Sequence, residues 1–141
     1  MGRKIHVEIE PGTYLVAPIA TLITKAIDVK DTGYDGHTFA IINSGMNDLL
    51  RPAMYGAQHP LITVASDGSD RRSAELLVAG HCCESSDMLS LAPGNPEELS
   101  PRTMQLPKIG DYICVEGAGA YAAAMRPASY NSFAPAIEVF V

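Results

Sequence analysis

Alternation in short runs constrains this chain more than any other feature. Ile5-His6-Val7-Glu8-Ile9 alternates apolar and polar residues, and residues 21–29 are rich in β-branched and aliphatic types. Residues 38–42, 61–65, 75–79, 112–115 and 137–141 read the same way. A period of two belongs to strands, not helices. Pro11-Gly12, the stretch from Gly33 to Gly36, Asp67-Gly68, Pro93-Gly94 and Gly110 stand between the runs as turn signals. Short strands at this spacing predict a mainly β barrel or sandwich with a few short helices. Helix signals are confined to residues 15–20, 47–55 and 118–125, the first two limited by Pro18 and Pro52. Residues 92–102 hold Pro93, Pro96 and Pro101 and read as a long surface loop.

Length and composition narrow the function classes. The 141 residues suffice for one core. Hydrophobic residues make up 47% and charged ones 18%, which is globular composition. A net charge of −6 without a run of Lys or Arg argues against nucleic acid and against anionic membrane surfaces. No apolar run reaches the roughly 20 residues of a membrane span, and the first residues do not have the pattern of a signal peptide. Cys82, Cys83 and Cys114 are odd in number and lack C-x-x-C spacing, and the four histidines stand singly. The expectation is therefore no metal site and a reducing, cytoplasmic setting.

Four runs could carry chemistry. Glu10-Pro11-Gly12-Thr13 is a strand-end turn whose amides could face a phosphate, or simply a turn. Asn47 to Gly56 contains Arg51 and Tyr55, four residues apart and so on one side of a helical turn. Arg51 could clamp a carboxylate in fork geometry with Tyr55 as a second donor. His81-Cys82-Cys83-Glu84-Ser85-Ser86-Asp87 is the densest chemistry in the chain. Either cysteine could act as an acid and Glu84 could bind a cation; the alternative is two structural thiols and a turn. Gly117-Ala118-Gly119-Ala120-Tyr121-Ala122 matches the glycine pattern of dinucleotide sites. A chain ending at Val141 completes no βαβ unit, so the run reads as a turn presenting Tyr121.

Taken in order, Glu10-Pro11-Gly12, Leu49-Leu50-Arg51-Pro52-Ala53-Met54-Tyr55, Cys83-Glu84-Ser85-Ser86-Asp87, Gly119-Ala120-Tyr121 and Tyr130-Asn131-Ser132 resemble the fold-type-III pyridoxal-phosphate decarboxylases, in particular the diaminopimelate decarboxylase group. The resemblance covers nearly the whole chain and corresponds to the last third of a family member. It implies a Greek-key-like β-barrel or sandwich of the alanine racemase and decarboxylase type. Residues 1–13 would be the last strand and phosphate loop of an α/β barrel absent from this chain, and residues 14–141 the C-terminal β-domain. It implies pyridoxal 5′-phosphate as cofactor, with Glu10, Pro11, Gly12 and Tyr121 beside it. The lysine that bonds the cofactor would lie in the absent barrel, since Lys4, Lys25, Lys30 and Lys108 match nothing equivalent. Arg51, Tyr55 and Glu84 would bind a small amino-acid substrate at its far end.

Cys83, followed by Glu and Ser, would be the proton donor. Cys83 and Glu84 would serve the active site of the other subunit of a homodimer. The implied reaction is loss of CO2, with the pyridine ring as electron sink, and reprotonation of the carbanion. The implied substrate is meso-diaminopimelate, giving L-lysine. Relatives acting on ornithine, lysine or arginine typically carry Asp after the Cys, where this chain has Glu84. A related decarboxylase of ornithine, lysine, arginine or a D-amino acid and a non-catalytic β-barrel binding module stand as alternatives. Thr13 stands where the family has Arg, which removes a cation, and Ser86 where it usually has Gly.

Overall fold

A computed structural model describes residues 2–141. Six strands form one sheet in the order β3-β8-β1-β2-β4-β7, and a separate hairpin pairs β5 with β6. The strands are β1 (Leu22–Asp31), β2 (Thr38–Ile42), β3 (Leu61–Val64), β4 (Ser73–Ala79), β5 (Leu91–Ala92), β6 (Asn95–Leu99), β7 (Arg102–Gln105) and β8 (Tyr112–Val115). The short helices are α1 (Gly12–Val16), followed by a 3-10 turn at Ala17–Ile19, and α2 (Arg51–Tyr55). The mainly β expectation holds.

β1 explains how the sheet curls. Its first half pairs with β8 (Leu22 opposite Val115, Lys25 opposite Tyr112). Its second half pairs with β2, after a register shift between Ala26 and Asp28. A bulge bends a strand and increases its twist, so one ten-residue strand serves both sides of a nearly closed barrel. At the seam, the Thr63 hydroxyl on β3 donates to the Gln105 carbonyl on β7 at 2.6 Å. All pairings are antiparallel except β2 with β4. A parallel pair needs a long crossover, and residues 43–72 provide it, carrying α2 and β3.

The core follows the alternation. Ile113 and Val115 on β8 are fully buried, with Ile42, Leu49, Leu76 and Val78 packed in the same cluster. Each such side chain contributes about 1.5–3 kcal/mol by leaving water. Leu77 points the opposite way and is also buried, beneath Met88 and Leu91. The sheet is therefore covered on its outer side at β4. No helix among the described residues is long and apolar enough to cross a membrane.

Four expectations need correction. Residues 5–9 form no strand in this chain, and Ile5, Val7 and Ile9 are exposed. Residues 137–141 are likewise exposed and pair with no strand. Alternation suits a strand but cannot supply the neighbour whose backbone groups complete it. Residues 92–102 are not a loop: Pro93-Gly94 turns β5 into β6, with Gly94 at φ +70°. A two-stranded edge tolerates Pro96 there. Residues 118–125 form turns instead of a helix, because the Ala118 and Gly119 amides donate to the carbonyls of Ala20 and Ala17.

Candidate functional site

The loop after β4 is held from below by a buried carboxylate. Asp87, 3% exposed, accepts from the Met46 amide at 2.6 Å through Oδ1 and from the Cys82 amide at 2.8 Å through Oδ2. The Asp87 carboxylate lies directly against the Gly45 and Gly80 backbones, and any Cβ on either residue would overlap it. The two glycines thus allow a side chain to replace the backbone pairing that ends with β4.

The two cysteines separate cleanly. The Cys82 thiol is half-buried, donates to Asn47 Oδ1 at 3.5 Å, and is pushed up to about 11 by burial and then by Asp87. Cys83 is exposed. Its amide donates to Asn131 Oδ1 at 2.8 Å. The Glu84 carboxylate accepts from the Ser86 amide and hydroxyl and the Ser85 hydroxyl on one oxygen, and from the Tyr130 hydroxyl at 3.3 Å on the other. These donors, the Ser86 amide first, hold Glu84 below its ordinary value.

A second group gathers around α2. Pro52 sits in the first turn of α2, where its missing N–H costs nothing, so it starts the helix instead of interrupting it. The Arg51 guanidinium lies 5.4 Å from the Tyr55 ring centroid and 5.8 Å from that of Tyr121. One of its N–H groups donates to the Met125 sulfur at 3.9 Å. Gly12 opens α1 beside Tyr121, and a Cβ on Gly12 would lie 2.9 Å from the phenol oxygen. Glu10 and Pro11 are exposed, and the Glu10 carbonyl accepts from the Gly12 amide. Thr13, Arg51, Gln58, His59 and Glu116 line an open recess of about 300 Å³ next to this group.

The structure thus brings Gly12, Arg51, Tyr55 and Tyr121 together, and separately Cys83 with Glu84. Among the described residues no hydrogen bond or ion pair links the two groups directly. Both depend on residues 43–55, since Asn47 and Asp48 serve the Cys83–Glu84 group and Arg51 belongs to the other. The sequence does not assign the holders: Asp87 is one carboxylate in a polar run that could also be a turn, and Asn131 is only a piece of a motif. His81, stacked on Phe133 with ring centroids 3.6 Å apart, was also missed. The one available signal was Gly80 directly before a polar run.

The chain matches the model of the pyridoxal-dependent decarboxylase C-terminal sheet domain over residues 13–119. It belongs to that family. It is 40% identical over 135 residues to the diaminopimelate decarboxylase of Escherichia coli strain K12, covering 94% of this chain and 31% of the relative. A crystal structure of a diaminopimelate decarboxylase superposes with a TM-score of 0.78 at 38% identity, over 86% of this chain and 28% of that one. The Helicobacter pylori diaminopimelate decarboxylase complexed with L-lysine superposes with a TM-score of 0.69 at 32% identity, over 86% and 26% of the two chains. The chain spans just under a third of the length of these relatives.

Proposed function

We propose that this chain supplies the C-terminal part of the active site of a pyridoxal-phosphate-dependent decarboxylase acting on meso-diaminopimelate, with L-lysine and CO2 as products. The observation that carries the reading is Arg51. Its guanidinium sits among Tyr55, Tyr121 and Met125, and among the described residues no carboxylate pairs with it. The identity of about 40% to diaminopimelate decarboxylase supports the same substrate.

The residues present suit one edge of the cofactor. Tyr121 is 45% exposed and its hydroxyl lies over Gly12, where no side chain intervenes, so the Glu10-Pro11-Gly12 turn and the phenol can flank the same group. When bound, pyridoxal phosphate supplies the electron sink for the pair left by departing CO2. Arg51 then holds the far carboxylate of the substrate in fork geometry, with Tyr55 donating beside it. Glu84, which stays ionised, accepts from the far ammonium group. Cys83 offers its thiol proton to the carbon that lost CO2.

Cys83 and Glu84 are exposed and stand apart from the Arg51 group, which suits a homodimer in which they complete the partner's site. Residues 1–13 and the cofactor lysine would then belong to an N-terminal α/β barrel in a longer protein, in the cytoplasm. The test is an assay of the longer protein carrying these residues, with diaminopimelate, lysine and ornithine as substrates. Diaminopimelate should be strongly preferred, and Cys83→Ala should lower its turnover about 100-fold or more. Equal rates on all three substrates would remove the reading.

A further inference from the structure

Cys83 and Glu84 sit on a loop that no strand ladder holds. Two consecutive amides of that loop are held by side chains: Cys82 by Asp87 from the buried side, and Cys83 by Asn131 from the outer side. Asn131 belongs to a segment fastened at three further points. The Tyr130 hydroxyl donates to Glu84, Phe133 stacks on His81, and the Ala136 amide donates to Asp48 Oδ1 at 2.7 Å. The backbone of this segment is unusual. Ser129, Asn131 and Ser132 have φ of +66°, +51° and +66°, a region that glycine adopts freely, Asn more readily than most residues, and serine seldom. Glycine would suit all three positions conformationally, yet none of them has it. At residue 131 the side chain supplies what glycine could not, an acceptor aimed at the Cys83 amide.

We infer that Asn131 is a positioning residue for Cys83: its carboxamide oxygen fixes the Cys83 amide, and with it the direction of the thiol. The inference rests on the proposed role of Cys83 only for its consequence in turnover. The contact itself is open to measurement without turnover. Asn suits the left-handed conformation at residue 131, and the surrounding contacts determine the turn. Fastening the segment at Asp48 and His81 sets where the Asn131 oxygen sits. The segment thus works as a clasp over the proton donor.

The test is amide hydrogen exchange on the 141-residue chain, with the Cys82 amide as internal control. Asn131→Ala should speed exchange at Cys83 about fivefold or more while leaving Cys82 unchanged. Asn131→Gly keeps the left-handed conformation that alanine disfavours but lacks the acceptor, so it should behave like Asn131→Ala. Asn131→Asp retains the acceptor and should stay within about twofold of the native rate. Unchanged exchange at Cys83 in both Ala and Gly variants overturns the inference. So does loss of protection at Cys82 together with Cys83, which would mean that the loop has detached as a whole. In the longer protein, Asn131→Ala should lower kcat with KM little changed. If Cys83→Ala leaves turnover intact while the exchange results hold, positioning by Asn131 stands and the proton-donor role of Cys83 falls.

Discussion

Arg71 and Arg51 carry the same group in opposite circumstances. Arg71 is buried, with a side chain 4% exposed, and donates to both oxygens of Asp111 at 2.8 and 2.9 Å, to Asp67 at 3.1 Å, and to Ser69. Asp111 is fully buried and also accepts from the amides of Ser66 and Lys108. Every charge there has its partner, so the cluster ties the loop after β3 to the start of β8 and offers nothing to a ligand. Arg51 is half-buried among two phenol rings and a thioether. Rings and sulfur orient a guanidinium without neutralising it. The difference is one of availability: Arg71 has its charge spent within the fold, while Arg51 keeps its charge for the external anion proposed above.

The comparison breaks most forcefully at Asp111. Asp111→Ala leaves the buried Arg71 with only the half-exposed Asp67 as ion partner, which should cost about 3 kcal/mol of stability. The urea midpoint measures it, and a loss below about 1 kcal/mol would show that water reaches Arg71. The pH dependence carries a definite sign. Arg71 first, then the Lys108 and Ser66 amides, hold Asp111 well below the usual carboxylate range. The Ser69 amide and hydroxyl lower Asp67 to about 2. Depressed carboxylates stabilise the fold fully above their unfolded value, near pH 4. They lose that contribution as pH falls through the folded values. Stability should therefore decline from about pH 4 toward pH 2, and Asp111→Ala should flatten that decline.

The opposite outcome is expected at Arg51. Arg51→Ala removes no ion pair, so stability should change by about 1 kcal/mol or less. In the longer protein the same change should lower kcat/KM for diaminopimelate by roughly 30–150-fold, the loss of charge-assisted bonds worth about 2–3 kcal/mol. Lysine, which has no far carboxylate, should be much less affected. A similar loss on both substrates would make Arg51 a structural residue like Arg71.

Much of this contrast was legible in the sequence, though not its cause. Arg51 stood out because Tyr55 follows at helical spacing, while Arg71 lies in an unpatterned loop and its partner Asp111 is forty residues on. Strands followed the same division. Residues 38–42 and 112–115 were bounded as the structure has them, since their alternation meets neighbours on both sides. Residues 5–9 alternate just as well and find no neighbour in this chain. Cys83 and Glu84 were readable from their motif, but Asp87 and Asn131 act through contacts that no local pattern encodes. The hairpin at residues 91–99 was hidden because Pro93, Pro96 and Pro101 suggest a loop, whereas Pro93 lies in its turn, Pro101 beyond it, and only Pro96 in a strand, at a two-stranded edge.

A third arginine gives the smallest effect and closes the series. Arg126 pairs with Glu138 at 3.2 Å, with the two side chains 23% and 54% exposed. A solvated pair gains little, because water competes for both ions and two long side chains lose rotamer freedom. Glu138 also belongs to a stretch whose neighbours Ile137 and Val139 are exposed. The pair therefore joins the turn region after Met125 to a segment with almost nothing else to hold. Glu138→Gln should change stability by about 0.5 kcal/mol or less, and any difference should fade between low and high salt. A loss above about 1 kcal/mol that persists in salt would place Glu138 in a desolvated contact. Residues 137–141 would then lie against the domain, and Arg126 would belong with Arg71 as a cation committed to the fold.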